Sequence, residues 1–350
     1  MTDIVMSDSL SIIADPDWLP HRYDETDDSF RFVRVSREDH RSASFLTDEH
    51  LGGTQNFIAV PRDRIDKSLV PQAPVHFIFH SAYCCSTLAA RMFDLEGVAM
   101  GFKEPVLLND IVGWRRRGAE TQSLAAVLDL SLSLLSRPLG HDQHVVIKPS
   151  SIANVIGPAI LAMRPNARAL LLYAPIEEFL SSIAVKGLWG RQWARTSLIG
   201  QAKDHALSHK FTTEELLELT DLQIAGLSWL SHLAIFTRMQ KKLGANRVAF
   251  CDSATLLRDP LRTTKAFYRH LEIPLGYSEA RAIAEGPVFT RNSKDGAAYS
   301  ADDRQARLDH TREYNREEID MVAEWIRQLA KGIDLNVNPE TNLDLVSHTC

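Results

Sequence analysis

The stretch Val75-His76-Phe77-Ile78-Phe79-His80-Ser81-Ala82-Tyr83-Cys84-Cys85-Ser86-Thr87-Leu88 decides how the rest of the chain is read. Its first half is a short, mostly apolar run with Pro74 before it and small residues after it, the pattern of a strand buried on both faces. Its second half changes to small and hydroxyl-bearing residues. Leu88, Met92 and Leu95 then recur at helical spacing, and Ser86 or Thr87 is placed to cap the first turn. Where a strand turns directly into a helix, free backbone N–H groups and the positive end of the helix dipole converge, and anions bind there. Ser81, Ala82, Tyr83, Cys84, Cys85, Ser86 and Thr87 are therefore the first candidate site. A Walker A loop also needs glycines and a lysine just before its Ser or Thr. Both are absent here, which disfavours an ordinary ATP-hydrolysing loop and leaves a plain capped turn as the simpler alternative.

The alternation continues downstream. His144 to Lys148 reads as a strand, Val155 to Met163 as a helix, Arg168 to Tyr173 as a strand, and Pro175 opens a helix through Phe179 and Ile183. Thr212 to Leu243 reads as a long helix or a broken pair, with Thr212 and Glu215 spaced as a capping box. Val248 to Cys251 is the next strand, and Pro260 to Leu271 and roughly Glu313 to Lys331 are later helices. Strands alternating with helices predict an α/β fold, a parallel central sheet covered by helices on both faces. Upstream, residues 1–70 are polar, with two short strand-like runs at Phe30 to Val35 and Asn56 to Val60, and predict a small N-terminal β appendage. The main domain is expected over 71–332 and a loose C-terminal tail over 333–350. The polar segment from Gly286 to Gln305 is expected to be a long loop, and such loops are often functional.

With 350 residues, 45% hydrophobic and 24% charged, the composition excludes wholly disordered, collagenous and coiled-coil chains. A net charge of -6 argues against general nucleic-acid affinity but leaves room for a local basic pocket. Four cysteines without a CxxC pair fit a reducing compartment. The first residues lack the order of a signal peptide, and the longest apolar runs are about half of the ~18 to 20 residues that cross a bilayer. A soluble cytoplasmic protein without membrane or nucleic-acid partners is expected. Trp114-Arg115-Arg116-Arg117 reads as a solvated basic turn, and His205 and His209 as an exposed helix face, so no metal is implied.

From about Phe77 to Leu275 the chain resembles the sulfotransferases of P-loop fold that use 3′-phosphoadenosine-5′-phosphosulfate (PAPS). Phe79 to Leu88 occupies the place of the family's phosphosulfate loop, usually Pro-Lys/Arg-Ser-Gly-Thr-Thr, and Ser86-Thr87 keep its hydroxyl pair. Val146-Ile147-Lys148-Pro149-Ser150 is similar to the strand ending in Lys-Ser/Thr-Pro, and Arg164 to Arg168 to the turn into the next strand. Tyr173-Ala174-Pro175 stands where the family has Arg-Asp-Pro, and Ser181, six residues after Pro175, matches its 3′-phosphate-binding serine. Leu256-Leu257-Arg258-Asp259-Pro260, continuing to Pro274, is the most specific match.

The resemblance implies PAPS as co-substrate and a hydroxyl or amine of a small molecule as sulfonyl acceptor. Kinase-like or other nucleotide-dependent transfer on the same fold, or a catalytically inactive nucleotide-binding or scaffold protein, is the alternative. Lys148, Ser86 and the loop amides would stabilise the leaving phosphate. Glu104, in Gly101-Phe102-Lys103-Glu104-Pro105, would be the general base, with Pro105 holding it extended and its carboxylate outward. A plain surface ion pair of Lys103 is the other reading of that segment. Arg291 and Lys294 lie where the family carries a basic lid over the nucleotide. Three positions depart from the pattern. Tyr83 replaces a basic residue, Cys85 a glycine, and Tyr173 the arginine that grips the 3′-phosphate. A tyrosine hydroxyl supplies neither the charge nor the two-pronged geometry of a guanidinium, so weakened binding of the product nucleotide, 3′-phosphoadenosine 5′-phosphate (PAP), is expected.

Overall fold

The computed structural model describes residues 11–51, 56–207, 209–291 and 300–343. Five strands form the central sheet: β4 (Val75–His80), β5 (Ala99–Lys103), β6 (His144–Lys148), β7 (Ala169–Tyr173) and β8 (Val248–Asp252). All pairings are parallel, in the order β5-β6-β4-β7-β8. Every residue of β4, β5 and β7 is buried, and a strand hidden at consecutive positions is covered on both faces. The expected α/β class and layering hold.

Preceding this sheet, β1 (Trp18–Asp24), β2 (Ser29–Arg34) and β3 (Ile58–Pro61) form an antiparallel sheet, and α1 (Arg37–Ser42) follows β2 behind a Ser36–Asp39 capping box. Phe30, Phe32 and Val33 join the same continuous apolar cluster as Phe77 and Ile147 of the central sheet. The fully buried Arg137 spends its guanidinium on the carbonyls of Ile12, Ile13, Asp15 and Trp18, so burial of its charge is matched by hydrogen bonds.

The helices used below are α2 (Ser86–Arg91), α3 (Leu107–Arg116), α4 (Thr121–Leu135), α5 (Gly157–Met163), α6 (Ile176–Val185), α7 (Gly187–Lys203), α8 (Thr213–Glu218) and α9 (Asp221–Leu243). They are followed by α10 (Ser253–Arg258), α11 (Pro260–His270), α12 (Tyr277–Glu285), α13 (Ala301–Tyr314) and α14 (Arg316–Gly332). The Thr212–Leu243 stretch is a broken pair because two capping boxes, Thr212–Glu215 and Thr220–Gln223, each start a helix. Asp259 caps α11 by accepting from the Arg262 amide at 3.0 Å.

Several expectations are corrected. The loop after Gly286 contains a helical turn at Pro287–Thr290 and ends at α13, which Ser300 caps, while residues 292–299 lie outside the described residues. Trp114 to Arg117 is the end of α3, not a solvated turn. Arg115 and Arg116 both pair with the buried Asp204, and Arg117 pairs with Glu25. His205 and His209 follow the end of α7 instead of sharing a helix face, and His209 bonds the Leu329 carbonyl at 3.0 Å. Nor is the tail loose up to Leu343. The Tyr173 hydroxyl donates to the Pro339 carbonyl at 2.8 Å, Phe250 N–H donates to Asn342 at 2.7 Å, and Leu343 is buried. The tail thereby covers the edge strand β8, which would otherwise present unpaired backbone groups.

Candidate functional site

β4 lies at the centre of the sheet, and the chain leaves it towards β5 on one side before returning to β7 on the other. Ligand crevices of open parallel sheets form at such a reversal, outside the carboxyl ends of the strands. Here the loop Ser81–Cys85 occupies that place, and Ala82 (φ 69°), Tyr83 (φ 53°) and Cys85 (φ 59°) all take the left-handed conformation. For residues with a Cβ this costs roughly 1 kcal/mol or more each, so surrounding bonds must hold it. Ser81 N–H donates to the Leu172 carbonyl at 3.0 Å, Ala82 N–H to His80 Nδ1 at 3.1 Å, and the Cys84 thiol to Leu172 at 3.4 Å. Cys85 thus adopts the backbone that a glycine would favour. Burial pushes the Cys84 thiol up to about 12, which suits a structural bond and not a nucleophile.

Cys85, not Ser86 or Thr87, is the N-cap of α2, and its side chain caps nothing. The first-turn amides of Ser86 and Thr87 therefore keep no intrahelical acceptor, and both hydroxyls lack partners among the described residues.

Facing the loop is Glu104, at the end of β5. Its φ of 54° overturns the extended conformation expected before Pro105. The reason is local: Glu104 N–H continues the ladder by donating to the Lys148 carbonyl at 2.7 Å, and Val106 N–H then bonds Leu46 at 3.1 Å, so the chain must bend sharply between them. Consequently the carboxylate turns inward. It accepts a hydrogen bond from the Lys148 ammonium, whose side chain is fully buried, and its Oε1 lies 3.7 Å from His80 Nε2. His80 has a defined neutral tautomer. Nδ1 accepts from Ala82 N–H, so the ring proton sits on Nε2 and is donated to the Pro149 carbonyl at 3.1 Å.

His80, Glu104 and the run Ala82 to Thr87 line a cavity of about 240 Å³ whose other walls are Phe45, Ser151, Trp189 and Trp193, with the Lys148 ammonium buried behind Glu104. Phe45 arrives from the N-terminal segment, because Leu46 N–H pairs with the Lys103 carbonyl at 2.7 Å and fastens that segment along β5. Its ring covers the Lys148 ammonium at 5.4 Å, a cation–π contact. Tyr83 packs edge-on against Trp193 and Phe179, and its buried hydroxyl has no partner among the described residues. Burial holds that phenol well above its usual range.

The structure brings Ser81 to Thr87, Glu104 and Lys148 together but leaves the remaining candidates elsewhere. Tyr173 directs its hydroxyl at Pro339, and Ser181 is buried with its hydroxyl on the Glu177 carbonyl at 2.7 Å. Arg291 is exposed, after the helical turn that packs beside α2. Lys294 lies outside the described residues. Lys103 is not a surface residue. It is buried with its ammonium on the carbonyls of His40 and Arg41, and desolvation, then Arg91, lowers its pKa to about 7. Phe45, Ser151, Trp189 and Trp193 escaped sequence reasoning, since no local pattern ties them to the loop. His80 did carry a signal, a polar ring at the carboxyl end of an apolar strand.

Neither a protein-family model nor a curated protein matches the chain. Among solved structures it is similar to a sulfotransferase from Mycobacterium avium at 14% identity and a TM-score of 0.44, over 71% of this chain and 78% of that one. The sulfotransferase domain of the Synechococcus PCC 7002 olefin synthase is 13% identical, with a TM-score of 0.41 over 76% of this chain and 96% of its own. That of the curacin biosynthetic pathway is 12% identical, with a TM-score of 0.39 over 76% and 99%. No helix among the described residues is long and apolar enough to cross a membrane.

Proposed function

We propose that the chain is a sulfotransferase-like enzyme that moves a sulfonyl group from PAPS to a hydroxyl or amine of a small molecule. The observation carrying this reading is Glu104, inward-turned by a left-handed backbone and facing an uncapped turn that ends in Ser86 and Thr87. The loop fits the phosphosulfate end of such a donor, since the uncapped amides and the two hydroxyls of Ser86 and Thr87 are gathered there, while the Lys148 ammonium lies fully buried behind Glu104 and not against the donor. Bound there, the donor would supply the sulfonyl group. Glu104 would take the acceptor's proton, Lys148 would hold the carboxylate in place, and the rings of Phe45, Trp189 and Trp193 would exclude water. The 3′-phosphate finds no such fit, because the hydroxyls of Tyr173 and Ser181 are spent inside the protein.

That misfit favours a second reading, in which the same loop serves a different phosphorylated donor or a binding protein without catalysis. Calorimetric titration separates the readings. Micromolar PAP binding supports PAPS as donor, ATP with Mg²⁺ binding in its stead supports kinase-like transfer, and binding of neither sinks both enzymatic readings.

A further inference from the structure

In the loop cavity the one charged lining side chain is Glu104, because the Lys148 ammonium is buried behind it. Lys148 and His80 both approach Oε1, and Oε2 has no hydrogen-bond partner among the described residues. Lys148 thus balances Glu104 and nothing more. A phosphosulfate seated at Ser86 and Thr87 would bring a further negative charge into a space of about 240 Å³ whose lining side chains offer it no accessible cation. Walled by apolar rings, such a space screens charge poorly, so an unmatched anion there is costly.

Four aromatic side chains line the same cavity. The Phe45 ring lies 5.4 Å from the very ammonium that bonds Glu104, so ring and carboxylate are neighbours. Tyr83 and Trp193 meet edge-on with centroids 5.0 Å apart, and Trp189 precedes Trp193 by four residues on α7, which sets both indoles on one side of that helix. Trp193 is half-buried while Trp189 is exposed, so Trp189 stands at the mouth. The faces of such rings carry partial negative charge and attract cations. A primary ammonium would bring three N–H groups that each need an acceptor, whereas a quaternary ammonium brings none and suits an apolar enclosure.

We propose that the acceptor is a small quaternary ammonium alcohol, whose cation lies among these rings and whose hydroxyl reaches Glu104. Its positive charge then stands beside the phosphosulfate and supplies what the lining side chains lack. In the transfer the hydroxyl oxygen bonds to sulfur, the bond from sulfur to the phosphate oxygen breaks with its electron pair leaving on PAP, and the hydroxyl proton passes to Glu104. The role as acceptor rests on the sulfotransferase reading, whereas binding of the cation does not.

Calorimetric titration of the full chain tests it, with choline as probe and 3,3-dimethylbutan-1-ol as the neutral alcohol of the same shape. Choline should bind at least about tenfold tighter than the neutral alcohol. Trp189→Leu, at an exposed position, should weaken choline about threefold or more and the neutral alcohol less than twofold. Glu104→Gln, which leaves the Lys148 ammonium unopposed, should abolish choline binding. No choline binding, equal affinities, tighter binding of the neutral alcohol, or no effect of Trp189→Leu would overturn the proposal. Displacement of choline by PAP would overturn its place as acceptor, whereas choline binding to a chain that never binds PAP would sink the transfer reading and uphold the cation site. Should Glu104→Gln fail to fold, the affinity ratio and Trp189→Leu decide.

Discussion

Replacing Glu104 by Gln removes one negative charge beside an ammonium whose side chain is fully buried. Breaking a buried pair by losing one partner leaves an uncompensated charge. Because Gln retains an acceptor oxygen for Lys148, the cost should fall at about 1 to 3 kcal/mol, below that of full removal. At about 2.1 cal/mol/K per residue, this lowers the unfolding midpoint of a chain of this length by roughly 1.5 to 4 °C. If Glu104 also takes the acceptor's proton, turnover should fall about 10²- to 10⁴-fold. The double variant Glu104→Gln/Lys148→Met separates the two effects, since it removes both charges and should recover most of the stability but none of the turnover. The assay is sulfonyl transfer from PAPS to a panel of hydroxyl and amine compounds, with calorimetric unfolding in parallel. A loss of less than tenfold in the single variant, or turnover that returns with stability in the double variant, would refute the assignment of Glu104 as base.

Three further outcomes are expected. Lys103 keeps its proton in the folded chain only below about pH 7 against 10.5 when unfolded, so the unfolded chain binds more protons between these values and stability rises with pH across that window. Lys103→Met should remove that rise, and the stability difference from the unaltered chain, measured in urea at pH 6 and pH 9, should shift in favour of the unaltered chain at pH 9; a flat difference would count against it. A Cβ at Gly101 would stand 2.0 Å from the Ala90 carbonyl, so Gly101→Ala should force β5 away from α2, cost about 1 to 3 kcal/mol, and disturb the Glu104 geometry. Tyr173→Phe should cost about 1 kcal/mol through loss of the Pro339 bond and expose the tail after residue 333 to proteases, while changing PAP affinity less than twofold. A marked loss of PAP binding would instead place the Tyr173 hydroxyl on the nucleotide.

The run Val75 to Thr87 determined much by itself. An apolar strand entering a helix through a small-residue turn can be read locally, because strand burial and helix periodicity leave their spacing in the sequence. The same holds for the boundaries of β6, to within one residue for those of β7 and β8, and for the Thr212–Glu215 capping box, whose bonds span three residues. The positions of Lys148 and Glu104 beside the loop followed from strand order. Their pairing did not, because it depends on Glu104 bending into the left-handed region against the preference set by Pro105. Phe45, Trp189 and Trp193 reach the cavity from segments far away in the chain, and Tyr173 and Ser181 turn to the Pro339 and Glu177 carbonyls. Such choices are settled by which buried polar group finds a partner across the fold, and a partner that packing brings from distant sequence leaves no local spacing to read.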